Sequence, residues 1–173
     1  MILDAARLKQ RVGRAFTSIG RGTRYRMGNG GFHPQDSVPT RNGFCDCSGW
    51  LAWVLGMSRY QGDKGKSFSN NFPWVETSAI YRDAKRDNYV FVEIPVPVPG
   101  CVVVYPDHKV LGVRREGHTG LVIEVLSNGK IMTIDCSSSN GGKTKESIRY
   151  LDRTSLWKSK KAIFCVLKED VMK

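Results

Sequence analysis

The chain has 173 residues, with 27 Lys and Arg against 16 Asp and Glu for a formal net charge of +11. At 40% hydrophobic and 25% charged it has the make-up of one folded domain, residues 1–173, able to bury about 70% of its extended-chain surface. No apolar stretch approaches the roughly 20 residues of a membrane-spanning helix, and residues 1–7 lack a basic leader with an apolar core, so neither a transmembrane segment nor a secretory signal is expected. The basic excess favours polyanionic partners: nucleic acid, anionic lipid or anionic cell-wall polymer. No zinc-finger spacing or RNP-like strand accompanies it, so no specific nucleic acid is expected.

Residues 2–18 place Ile2, Leu3, Leu8, Val12, Ala15 and Phe16 at a helical repeat with basic residues opposite, and Gly20 and Gly22 end it. Residues 21–44 read as loop, with Gly28-Asn29-Gly30-Gly31 as its most flexible point. Residues 47–57 are nearly all apolar, the pattern of a buried helix, and Asp46 is placed to cap its start. Residues 58–71 form a polar insertion, and residues 74–85 read as another helix. Strands follow at residues 89–94, 101–105, 120–126, 130–135 and 162–167, with residues 106–117 as a long loop. Asn128-Gly129 predicts a tight hairpin between the third and fourth strands. The order predicts an α+β domain, N-terminal helices packed on one antiparallel sheet of about five strands.

Five cysteines in no disulfide-like spacing suit synthesis in a reducing compartment. Cys101 and Cys165 lie in apolar runs and read as small buried hydrophobes. Cys47 differs, because it opens a helix. Unpaired backbone N–H groups and about half a positive charge at a helix N-terminus favour the thiolate, which is the reactive form. The same N–H groups can bind an oxyanion, and the small Ser48 and Gly49 leave room for a carbonyl. A thiol nucleophile needs a base, and His118, before Thr119-Gly120-Leu121-Val122, stands at the mouth of a strand. The hairpin brings Asp135 within about two residues of the position opposite His118, close enough to orient the ring. Trp50, Trp53 and Trp74 read as core or groove lining. A zinc site from Cys45, Cys47, His118 and Cys136 would need a spacing that matches no common pattern, so no metal and no cofactor are expected.

These segments resemble the NlpC-type cell-wall peptidases, a compact branch of the papain-like cysteine peptidases. Tyr25-Arg26-Met27-Gly28-Asn29-Gly30-Gly31 resembles the family's Tyr-x-x-Gly-Gly segment, and Phe44-Cys45-Asp46-Cys47-Ser48-Gly49-Trp50 its Asp-Cys-Ser-Gly-aromatic nucleophile segment. Pro99-Gly100-Cys101-Val102-Val103-Val104-Tyr105 is similar to its Pro-Gly-Asp strand, and Gly117-His118-Thr119-Gly120-Leu121 to its Gly-His-Val-Gly-Ile strand. Ile134-Asp135-Cys136-Ser137-Ser138 falls where members place a third polar residue. The resemblance implies a papain-like fold and a bacteriolytic thiol hydrolase. Its substrate would be an amide in the peptidoglycan stem, often between D-γ-glutamate and a diamino acid.

Carried over, Cys47 is nucleophile, His118 base and Asp135 orienter. Tyr25 lies beside the thiol, Asp46 and Ser48 help bind a free stem-peptide amine, and Trp50 joins them as a substrate-binding candidate. Many members have His as third residue, and Cys101 replaces an acidic one. The insertion at 58–71 and the loop at 106–117 would border the cleft. With no wall-binding repeat attached, the chain is expected to reach the cell wall or periplasm by lysis, phage delivery or injection. A CHAP-like amidase, a papain-like acyltransferase or lipid-deacylating enzyme, and a non-catalytic wall-binding module remain alternatives.

Overall fold

A computed structural model describes residues 1–60, 74–141 and 145–172. Most of the insertion expected at 58–71 lies outside the described residues. The fold is α+β, with a six-stranded antiparallel sheet at its centre.

Chain order explains how the pieces come together. Strand β1 (Ile2–Leu3) leads into α1 (Ala5–Thr17), whose first N–H groups, Ala6 and Arg7, donate to the Asp4 carboxylate. Short strands β2 (Arg24–Tyr25) and β3 (Phe44–Cys45) pair in parallel and deliver the chain to α2 (Cys47–Val54), capped by Asp46 as expected. Helix α2 carries no polar stripe, and every one of its residues is buried, which is why its sequence reads as continuously apolar.

The helix expected at 74–85 is shorter: α3 (Thr77–Arg82) runs into a π-helical turn at Asp83–Asp87. The buried Asp83 carboxylate then accepts from the N–H groups of Tyr89, Val90 and Phe91 at 3.0, 2.9 and 2.6 Å, ending the helix and starting β4 (Phe91–Ile94).

Strand β5 (Val102–Tyr105) is followed by a hairpin that the sequence does not announce. The loop expected at 106–117 contains a hairpin, β6 (His108–Val110) and β7 (Val113–Arg115). Then come β8 (His118–Val125) and β9 (Ile131–Cys136), joined by the predicted Asn128-Gly129 turn with Gly129 at φ 77°. A short helix α4 (Ser138–Gly141), strand β10 (Ile148–Asp152), helix α5 (Thr154–Ser159), β11 (Ile163–Leu167) and β12 (Val171–Met172) complete the chain.

The sheet order is β10-β9-β8-β5-β11-β4, so it holds six strands rather than about five. The added strand is β10, hidden in the sequence inside a run of charges. Strands β5 and β8 are central and covered on both faces. Val102, Val104, Leu121 and Ile123 pack with Trp50, Leu51 and Ile80 on one side, whereas Val103, Tyr105 and Val122 pack with Leu8 and Trp157 on the other. Two-sided burial removes the apolar–polar alternation of a half-exposed strand. Among the described residues no helix is long and apolar enough to cross a membrane.

Candidate active site

Cys47 is the first residue of α2, and His118 is the first residue of β8. The β8–β9 register pairs Leu121 with Ile134, which puts Asp135 opposite Gly120, two residues from His118 and on the same face. Gly120 keeps this place uncrowded: a Cβ there would lie 3.0 Å from the Ile134 carbonyl oxygen, 3.2 Å from the Asp135 Cβ and 3.4 Å from the Trp157 ring. That face also carries Trp157, whose indole stacks on the His118 ring at 5.5 Å between centroids and 9° between planes. Helix α2 covers the opposite face, and the imidazole, at the start of β8, reaches the Cys47 thiol.

His118 Nε2 lies 3.5 Å from Asp135 Oδ1, an ion-pair distance short of a well-formed hydrogen bond. Burial lowers the imidazole pKa, but Asp135 and the Cys47 thiol outweigh it and raise it to about 10. The Asp135 carboxyl responds in the other direction. Burial raises its pKa, yet the histidine and Arg153 together hold it below its ordinary value.

Asp135 is completely buried and is held by two residues that the sequence reading missed. Arg153 Nε donates to Oδ2 at 3.1 Å, and Asn140 Nδ2 donates to Oδ1 at 2.9 Å. Arg153 also donates to Asn140 Oδ1, which closes the network. In the sequence Arg153 follows Lys143, Lys145 and Arg149 and carries no mark of an internal partner. Only the pairing of β10 with β9, which brings the chain back along Asp135, assigns it an internal partner.

Two phenols flank the thiol. Burial, then Cys47, push up the pKa values of both Tyr25 and Tyr105, which keeps each hydroxyl protonated as a donor. Tyr25 was expected beside the thiol. Tyr105 was not, although it pairs with His118 in the β5–β8 register. A cleft of about 250 Å³ opens beside His118, lined by Tyr25, Tyr105, Glu116, Ser137 and Arg153 among others.

The other substrate-binding candidates occupy different places. Asp46 is wholly buried, and its oxygens are taken by Gly28 N–H at 2.6 Å, Gly49 N–H at 2.8 Å and Arg59 at 2.8 and 2.7 Å. Ser48 lies 3.3 Å from the same carboxylate and accepts from Arg59 at 3.2 Å. Both residues therefore set the start of α2 instead of presenting groups to a ligand amine. Trp50 is also fully buried, its Nε1 donating to Ser18 Oγ at 2.9 Å, and belongs to the core.

The room expected over Gly49 is filled by backbone. A Cβ there would lie 2.7 Å from the Gly30 carbonyl oxygen and closer still to that of Asn29. The glycine segment read as the loop's most flexible point is thus pinned on the first turn of α2. Asp46 N–H donates to Asn29 O at 3.0 Å and Arg59 N–H to Gly31 O at 2.6 Å.

The remaining cysteines separate by environment. Cys101 and Cys165 are buried as expected; burial pushes the Cys101 thiol pKa up to about 12 and raises that of Cys165 as well. Cys136 donates to Cys45 O at 3.4 Å, and Cys45 together with burial raises its pKa. None of these three surroundings favours a thiolate. No protein-family model, curated protein or solved structure matches the chain.

Proposed function

We propose that the chain is a thiol hydrolase of papain-like organisation that cleaves an amide in the peptide stem of bacterial peptidoglycan, such as the γ-D-glutamyl–diamino acid bond. The observation that carries the chemistry is the convergence of Cys47, at a helix start, with a His118–Asp135 pair built by two adjacent strands. The substrate class rests on the resemblance to NlpC-type peptidases. In this reading His118, raised in pKa by its neighbours, holds the proton taken from Cys47. With Nε2 turned to Asp135, Nδ1 is left to take the thiol proton.

The Cys47 thiolate attacks the scissile carbonyl, and the N–H of Cys47 itself, at the start of α2, receives the oxyanion. His118 passes its proton to the leaving amine as the C–N bond breaks, which leaves an acyl-enzyme thioester. Water, deprotonated by His118, then attacks the thioester; the C–S bond breaks, the stem carboxylate leaves and the Cys47 thiolate is restored beside the protonated His118. Arg153 and Asn140 act through Asp135, and Tyr25 and Tyr105 line the approach. Such a protein would act at the cell wall or periplasm.

Digestion of purified peptidoglycan followed by mass spectrometry tests this directly. Wild type is expected to release stem fragments whose masses report the bond, and Cys47→Ala none. Identical digests from the two proteins would overturn the assignment. Fragments cut at the glycan–peptide junction would transfer the chain to the amidase alternative.

A further inference from the structure

The hairpin β6–β7 closes through Leu111-Gly112, both at positive φ, 50° and 79°. Two-residue turns of this kind suit Asn-Gly, because asparagine tolerates the left-handed region and leucine is crowded in it. Leu111 is also 99% exposed, and the cross-strand neighbours Val110 and Val113 are 43% and 56% exposed. Strain and bare apolar surface therefore coincide at one position, where asparagine would relieve both. Backbone outliers that the fold does not need point to a use outside the fold.

Cations surround this tip. Lys109 faces Arg114 across the ladder, a like-charge pair that weakens an isolated hairpin, and Arg115 stands opposite His108. Arg114 is answered by Asp107, with Nε 3.0 Å from Oδ2. Lys160 Nζ lies 3.1 Å from His108 Nε2, joining the segment of Lys158, Lys160 and Lys161 to the hairpin base.

We propose that this hairpin is a contact element for an anionic lipid bilayer. Val110, Leu111 and Val113 enter the boundary between headgroups and acyl chains, while Lys109, Arg115 and Lys160 engage the lipid phosphates. A polyanionic polymer would satisfy the cations and leave Leu111 in water; a bilayer satisfies both. Asp107 Oδ1 accepts the Gly117 N–H at 2.7 Å, tying the hairpin base to the residue before His118. Docking would hold the cleft close to the lipid surface. The proposal stands on the hairpin alone and does not depend on the hydrolysis reading.

Cosedimentation of the full chain with vesicles of equal parts phosphatidylglycerol and phosphatidylcholine tests it, with pure phosphatidylcholine vesicles and inorganic polyphosphate in parallel. Wild type is expected to bind the anionic vesicles, less so as salt rises, and to bind pure phosphatidylcholine much more weakly. Leu111→Asn suits the turn, so its melting temperature should equal or exceed that of wild type while vesicle affinity falls about tenfold. Lys109→Gln and Arg115→Gln should each cost about fivefold. Leu111→Asn is expected to leave cleavage of soluble muropeptides unchanged. Failure of wild type to bind the vesicles, equal binding by Leu111→Asn, or binding to polyphosphate in preference to vesicles would each overturn the proposal.

Discussion

His118 is held between opposing influences: burial disfavours its charge, and Asp135 with Cys47 restores it, raising the pKa to about 10. Because this lies above the ordinary value of about 6.5, its contribution to stability is complete below about pH 6.5 and is lost as pH rises through about 10. Melting temperatures measured across that window should fall for wild type and stay nearly level for His118→Gln. Parallel profiles would show that the imidazolium is not held by the fold. The three residues proposed to carry the chemistry were legible in the sequence because each lies beside a local signal: a helix cap, a strand start or a tight turn. Arg153 and Asn140 were not, since an arginine in a basic run carries no mark of the buried carboxylate it serves. Asp46 shows the converse. Its motif suggested a ligand contact, and only the arrival of Arg59 makes it an internal pair.

At the scale of elements, the first turn of α2 is set by backbone packing as much as by its cap. Gly49 admits the Asn29–Gly31 backbone, so Gly49→Ala forces apart two main-chain segments that flexible side chains cannot relieve. A loss of about 2 kcal/mol is expected, read as a lower melting temperature, with a larger fall in the proposed hydrolysis because Cys47 shifts with the turn. A substitution that leaves melting temperature and activity intact would contradict this packing. Element type was readable wherever hydrophobic period or turn chemistry was strong, as at α1, α2 and the β8–β9 hairpin. Strand β10 escaped because Arg149 and Asp152 interrupt its apolar positions. The β6–β7 hairpin escaped because Leu-Gly is a poor turn pair, a local mismatch that the bilayer proposal uses.

Across the whole molecule, the two ends of the chain are joined. Strand β1 pairs with β12, and Arg11 on α1 forms a buried two-pronged ion pair with Asp170. Asp170 also accepts the Leu167 N–H at 2.9 Å. Asp170→Ala would leave Arg11 buried without its partner, at a cost of roughly 3–5 kcal/mol, measured by denaturant unfolding; a change under about 1 kcal/mol would place the pair effectively in solvent. The sequence by itself determined the α+β class, the capped buried helix that Cys47 opens and the hairpin that aligns Asp135 with His118. Period, caps and turns act over a few residues, and these features need nothing more. Tertiary structure alone decided the sixth strand, the Arg153–Asn140 support for Asp135, the enclosure of Asp46 and the meeting of Cys47 with His118. Those depend on which distant segments share a boundary, and burial between such segments, not local preference, chooses the partner of each buried charge.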